Sequence, residues 1–166
     1  MTDVTAEEYG CVPSMAPVFL MQARVYYEDT DSGGVVYYAN YLKFMERART
    51  EYLRSLGFQH SGPAASGDSG SAEQGAAPAV QFVVRDAHMK FVKPAKLDDL
   101  LDVSVLVSRL GNAGLDVDQV VSVGGQTVCS ATIGLACVSA ESLKPARIPA
   151  VVKQAMTHKI VEQHHQ

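Results

Sequence analysis

One helical stripe, set among segments that alternate every second residue, constrains this chain more than any other feature. Tyr41, Phe44, Met45, Ala48, Tyr52, Leu53 and Leu56 recur at three and four residues, while Lys43, Glu46, Arg47, Thr50 and Arg54 fall largely off that stripe. Such a helix has one apolar face and must bury it. Asn40 is placed to cap its start by accepting an orphan backbone N–H, and Gly57 to close its end in the left-handed conformation. Before the helix, Phe19, Met21, Ala23 and Val25 alternate with Gln22 and Arg24, as a half-buried strand requires, up to a turn at Glu28 to Gly34. After it the period of two returns through Val80 to Val92 and through Leu101, Val103, Val105 and Val107. Gly111 to Gly114 turns into Leu115, Val117, Val121 and Val123, and Gly124-Gly125 signals a hairpin into Thr127 to Ala140. The order strand, helix, four strands predicts an α+β domain. Successive hairpins imply an antiparallel five-stranded sheet, and the only long helix is the natural cover for its apolar face.

The 166 residues suit one domain with a sizeable core. Residues 1–16 lack periodicity and read as a flexible arm, 17–150 as the domain, and 151–166 as a short, weakly amphipathic helix or tail. Residues 61–79 are nearly all Ser, Gly, Ala and Pro and are expected to form a mobile loop. Hydrophobic residues make up 47% and charged residues 19%, which excludes a solvating polymer, and a net charge of -4 lacks the basic excess that phosphate-backbone binding needs. Cys11, Cys129 and Cys137 form no CxxC pair, and their odd number argues against a disulfide framework, so a reducing compartment fits. No export or membrane-spanning segment is visible in the first twenty residues.

The densest polar cluster is Glu28-Asp29-Thr30-Asp31, followed by Ser32-Gly33-Gly34 and the pair Tyr37-Tyr38. The bland reading is a solvated turn in which Asp and Ser cap local backbone and glycines supply positive φ. A Ca²⁺ or Mg²⁺ loop would need more oxygens at regular spacing, and no EF-hand pattern follows. Two features point elsewhere. The acids lie just before a helix N-terminus, where backbone N–H groups and the dipole can polarise a carbonyl oxygen, and the diglycine lets a ligand approach the backbone. A carboxylate beside an oxyanion-stabilising helix end suits acyl transfer, since a carboxylate needs no proton removed to act at neutral pH.

The run from Arg24 through Asp31, Ser32, Gly33, Gly34 and Tyr37-Tyr38-Ala39-Asn40-Tyr41, continued by Phe44-Met45-Glu46-Arg47-Ala48-Arg49-Thr50-Glu51, closely resembles the 4-hydroxybenzoyl-CoA thioesterase family. Its nearest branch is that of the Tol-Pal-associated acyl-CoA thioesterases. Phe82-Val83-Val84-Arg85 and Pro94-Ala95-Lys96-Leu97-Asp98-Asp99 match a second block, and the resemblance spans roughly residues 18 to 150. It implies a hotdog fold, an antiparallel sheet wrapped around one long central helix. It further implies a homo-oligomer, dimer or tetramer, with active sites at the subunit interface; the cysteine usage and the lack of an export segment add the expectation of a cytoplasmic protein. By this resemblance Asp31 is the catalytic carboxylate, as nucleophile or general base, and the Tyr38 backbone N–H holds the thioester carbonyl oxygen. Gly33, Gly34 and Val35 would line the substrate, with Asn40 and Tyr41 in capping or pocket-lining roles. Many members of the Tol-Pal branch carry histidine where this chain has Tyr38, which leaves the backbone role intact but not a side-chain acid-base one. No cofactor or metal is implied, since CoA is part of the acyl-CoA substrate. An acyl carrier protein is a further possible partner, and a non-catalytic module binding acyl-CoA or acyl carrier protein is the alternative.

Other polar residues read as structural. Glu46, with Arg47, Arg49 and Glu51 nearby, suits a solvated charge network rather than a helix-borne nucleophile. His60 and His88 have no fixed carboxylate or metal partner, and His158, His164 and His165 lie near the terminus. Cys129 and Cys137 share a strand face with Ala131, Ile133 and Leu135 and are expected to be buried. Lys93 and Lys96 could meet CoA phosphates but suit a solvated strand end better. No GxSxG elbow occurs, so a serine-based α/β-hydrolase is not supported.

Overall fold

The computed structural model describes residues 19–58 and 79–162. The expected arm at 1–16, the loop at 61–79 except Ala79, Cys11, His60, His164 and His165 lie outside the described residues. Strand β1 (Phe19–Arg24) leads through a 3₁₀ turn (Tyr27–Asp29) into helix α1 (Asn40–Ser55). Strands β2 (Val80–Phe91), β3 (Leu100–Leu110), β4 (Gly114–Val123) and β5 (Gln126–Ser139) follow, then helix α2 (Ala150–Glu162). The five strands form one antiparallel sheet in the order β1-β3-β4-β5-β2, so β1 and β2 are its edges.

The alternation read in the sequence is what the sheet uses. Leu101, Val103, Val105 and Val107 of β3, Leu115, Val117 and Val121 of β4, and Cys129, Ala131, Ile133, Leu135 and Cys137 of β5 are all buried on one face. Helix α1 lies over β1, β3 and β4 and presses Tyr41, Phe44, Met45, Ala48, Tyr52 and Leu53 into that face. The larger of these side chains, such as Phe44, Met45 and Leu53, each contribute about 1.5–3 kcal/mol on full burial, so the stripe drives the packing of sheet against helix. Burial also pushes the Cys129 thiol up to about 11 and raises that of Cys137, as inert core thiols require.

The turns follow their glycines. Gly57 has φ +82°, and it donates to the Arg54 carbonyl at 2.9 Å while Phe58 donates to that of Leu53 at 3.0 Å, the paired bonds of a Schellman close. Gly124 and Gly125 both have positive φ, as a two-residue type I′ hairpin demands. The start of α1 differs from expectation. Asn40 is the first helical residue and not its cap; Ala39 precedes it with no side-chain capping bond. The Asn40 amide is 7% exposed and donates to a carbonyl across the preceding loop, so it holds the loop rather than the helix end.

Candidate active site

The segment between β1 and α1 is a compact loop closed on itself. Thr30 pairs with Val36, the Asp31 N–H donates to the Val35 carbonyl at 2.9 Å, and Gly34 donates back to the Asp31 carbonyl at 3.0 Å. Gly34 sits at φ +75°, a conformation that a Cβ would strain. Asp31, Ser32, Gly33 and Gly34 therefore project as an exposed tip, with half-buried Val35 at its base. At that tip Asp31 Oδ1 accepts the Gly33 N–H at 2.8 Å, which fixes the carboxylate plane. Among the described residues nothing hydrogen-bonds Oδ2.

Asp29, two residues earlier, is the keystone that sequence reasoning did not single out. It is 5% exposed, and its Oδ2 accepts the Tyr26 N–H at 2.9 Å. Its carbonyl takes both the Tyr37 N–H and the Asn40 side-chain amide, each at 2.9 Å. One buried residue thus joins the acidic loop to the first turn of α1. The only sequence signal was position within an acidic run, which gives no sign of which acid turns inward.

The loop is also tied to a distant strand connection. The Val36 N–H donates to the Ala95 carbonyl at 2.8 Å, Val35 pairs with Lys96, and the Ala95 N–H donates to the Tyr41 hydroxyl at 2.9 Å. Tyr41 is buried, and desolvation raises its pKa. Asn40 and Tyr41, read from sequence as substrate-lining or capping, therefore spend their polar atoms on the protein frame.

Tyr38 stands at the mouth of the helix. Among the described residues its backbone N–H has no acceptor, and neither does that of Ala39, whereas the Asn40 N–H closes a turn on Tyr37 at 2.8 Å. These are the orphan donors of a helix N-terminus, carrying its partial positive charge. The rings of Tyr37 and Tyr38 lie 4.7 Å apart, and the Tyr38 hydroxyl's hydrogen bond raises the Tyr37 pKa. Phe91, at the end of β2, meets Tyr38 edge-on at 6.3 Å and Tyr41 at 5.8 Å. Phe91 was not anticipated as a site residue; its place as the aromatic end of an alternating strand was the available signal. Tyr37, Tyr38 and Phe91 stay 44%, 62% and 50% exposed and give the loop an apolar flank.

The remaining candidates lie apart. His88 is exposed, with Nε2 4.0 Å from Asp86 Oδ1. Lys93 reaches Gln126 at 3.1 Å and Lys96 is exposed beside the loop. Glu46 is exposed and accepts the Thr50 hydroxyl at 2.7 Å, and Glu51 pairs with Arg54. Arg49 departs from the expected solvated network, because it is buried against the sheet through Gln119. Among the described residues no three His, Cys, Asp or Glu side chains are gathered to hold a metal, and no helix is long and apolar enough to cross a membrane.

An antiparallel sheet curved around one long helix, with a carboxylate-bearing loop running into that helix, is the hotdog architecture. Residues 33–130 match the Thioesterase superfamily, and the chain belongs to it. Its enzyme class is that of thioester hydrolases. The chain is 42% identical over 140 residues to the acyl-CoA thioesterase YbgC of Haemophilus influenzae, covering 84% of this chain and 95% of that one. It is 36% identical over 133 residues to the acyl-CoA thioester hydrolase YbgC of Escherichia coli, covering 80% and 90%. A solved structure titled "Probable Thioesterase" from Bartonella henselae superposes with a TM-score of 0.63 at 36% identity, over 78% of this chain and 96% of that one.

Proposed function

We propose that the chain hydrolyses acyl-CoA to CoA and a free carboxylic acid at the tip of the β1–α1 loop. The observation that carries this reading is the pairing of an oriented carboxylate with an unclaimed helix-start donor. Asp31 has one oxygen fixed by Gly33, and among the described residues the Tyr38 N–H opens the following helix without an acceptor.

In the general-base form, the free oxygen of Asp31 takes a proton from water while the water oxygen bonds to the thioester carbon. Negative charge gathers on the carbonyl oxygen, where the Tyr38 N–H and the helix dipole stabilise it. Collapse of the tetrahedral intermediate breaks the C–S bond, and the thiolate leaves and takes up a proton. In the nucleophilic form Asp31 itself bonds to the carbonyl carbon, CoA departs, and water cleaves the resulting anhydride. Neither form calls for a cofactor. Gly33 and Gly34 carry no side chain to obstruct the carbonyl, and Val35, Tyr37, Tyr38 and Phe91 offer apolar surface to the acyl group. Relatives matched over nearly their whole length and named as acyl-CoA hydrolases support the substrate class. A cytoplasmic homo-oligomer with the site at its subunit interface belongs to the same reading.

The test is free-thiol release from short, long and aromatic acyl-CoAs by the wild type and by Asp31→Asn, both checked for folding. Asp31→Asn is expected to lose about 10³-fold or more in turnover, as removal of an essential group does. A variant that keeps most of its activity removes Asp31 from the mechanism. Tight acyl-CoA binding without thiol release by either protein would make the chain a binding module instead.

A further inference from the structure

The far half of α1 carries a buried cation that the loop chemistry does not use. Arg49 is 7% exposed and lies among Met45, Ala48, Tyr52 and Leu53. Its Nη1 donates to Gln119 Oε1 at 2.7 Å, and Gln119, 1% exposed, passes its own amide hydrogens to the carbonyls of Met45 and Ser104 at 3.1 and 3.4 Å. A guanidinium has five N–H donors and keeps its charge in a protein. Among the described residues only this neutral amide accepts from Arg49, and no carboxylate lies within ion-pair distance of it. Buried charges are ordinarily paired, because desolvating one alone costs several kcal/mol.

Arg49 also lines a cavity of about 120 Å³. The other walls are Glu46, Thr50 and Leu53 of α1, Phe82 and Val84 of β2, and Leu135 of β5. That is about four water volumes, enough for a carboxylate and a few carbons. Glu46 and Val84 are exposed at the rim, whereas Arg49 and Leu53 are buried. The Glu46 carboxylate accepts the Thr50 hydroxyl and is exposed, but its charge still acts on Arg49 from the rim, so an anion that enters the cavity binds against its repulsion. Arg49 is nine residues beyond the start of α1, roughly 13 Å along its axis at the helical rise, which separates the cavity from the Asp31 loop.

We propose that this cavity is a second binding site, which takes the carboxylate of a small organic acid or of the far end of an acyl chain, with Arg49 as its anchor. The carboxylate supplies the acceptor oxygens that the guanidinium lacks, and Leu53, Phe82 and Leu135 receive the attached carbons.

Calorimetric titration of the full chain with sodium hexanoate tests this without reference to thioester hydrolysis, so its failure is separable from failure of the Asp31 mechanism. Arg49→Met should weaken hexanoate binding about 10-fold or more, since a charge-assisted bond is lost. Glu46→Gln should tighten it by removing a like charge, and this variant keeps the test valid even if Arg49→Met misfolds. Comparing KM for adipoyl-CoA and hexanoyl-CoA then identifies the source. A preference for adipoyl-CoA that Arg49→Met abolishes places an acyl-chain end in the cavity; an unchanged ratio with altered hexanoate binding places a free acid there. Absence of hexanoate binding to the wild type, or binding that Arg49→Met leaves intact, overturns the proposal. So does a dissociated oligomer on gel filtration of Arg49→Met, which would show that a second copy supplies the missing carboxylate.

Discussion

Replacing Tyr41 by Phe removes one oxygen and leaves the ring in place, and the structure sets the cost. The hydroxyl accepts the Ala95 N–H at 2.9 Å; Tyr41 is 3% exposed and Ala95 is fully buried, so water has no route to the orphaned donor. Leaving a buried N–H unpaired costs about 1–3 kcal/mol. For a domain of this size each kcal/mol shifts Tm by about 2–4 °C, so Tyr41→Phe should melt roughly 2–12 °C lower. Urea denaturation at fixed protein concentration should show the same loss as a lower midpoint with unchanged slope. Thiol release should fall far less than in Asp31→Asn, because the carboxylate and the Tyr38 N–H remain and only the Ala95 brace slackens. A stability loss below about 0.5 kcal/mol would refute the reasoning, since the donor would then have found another acceptor.

Two further outcomes follow from the core and the sheet. A Cβ on Gly134 would stand 2.5 Å from Asp86 Oδ2, so Gly134→Ala must displace that carboxylate and its 2.7 Å contact with Arg85. Its stability should drop by up to about 1 kcal/mol, and Asp86→Ala in the same chain should restore most of that; no recovery would refute the contact. Burial pushes the Tyr52 hydroxyl from 10.0 up to about 12. The stability this confers is complete below pH 10 and is lost as pH rises from 10 through about 12, because the unfolded chain releases the proton first. Urea midpoints across that range should fall for the wild type and fall less steeply for Tyr52→Phe.

The elements that hydrophobic period alone decides were legible in the sequence. The Tyr41 to Leu56 stripe is α1, the alternating runs are β1 to β5, and Gly57 and Gly124-Gly125 sit where positive φ is required. Period says which way a side chain faces, but not what a polar atom bonds. Asn40 was therefore read as an acceptor at a helix cap, whereas its amide is a donor to the Asp29 carbonyl. Asp29 and Asp31 are alike in sequence, yet one is buried as a brace on the Tyr26 N–H and the other is exposed at the Gly33 tip, a difference that the folded loop shows and the sequence run does not. Arg49 was grouped with its charged neighbours because its partner, Gln119, lies seventy residues away on β4.

That closure has a kinetic side. The loop that presents Asp31 is framed by residues 95–99: Val25 exchanges backbone hydrogen bonds with Asp98 and Asp99, Arg24 reaches the Asp98 carbonyl, and Val36 binds Ala95. Helix α1 and β2 intervene in the chain between the two halves of the frame. Local turns form early, whereas pairing across such a separation waits on the entropy of closing a long loop. The stretch carrying the carboxylate thus emerges before its scaffold during synthesis, and acquires its shape only when the β2–β3 connection has been laid against it.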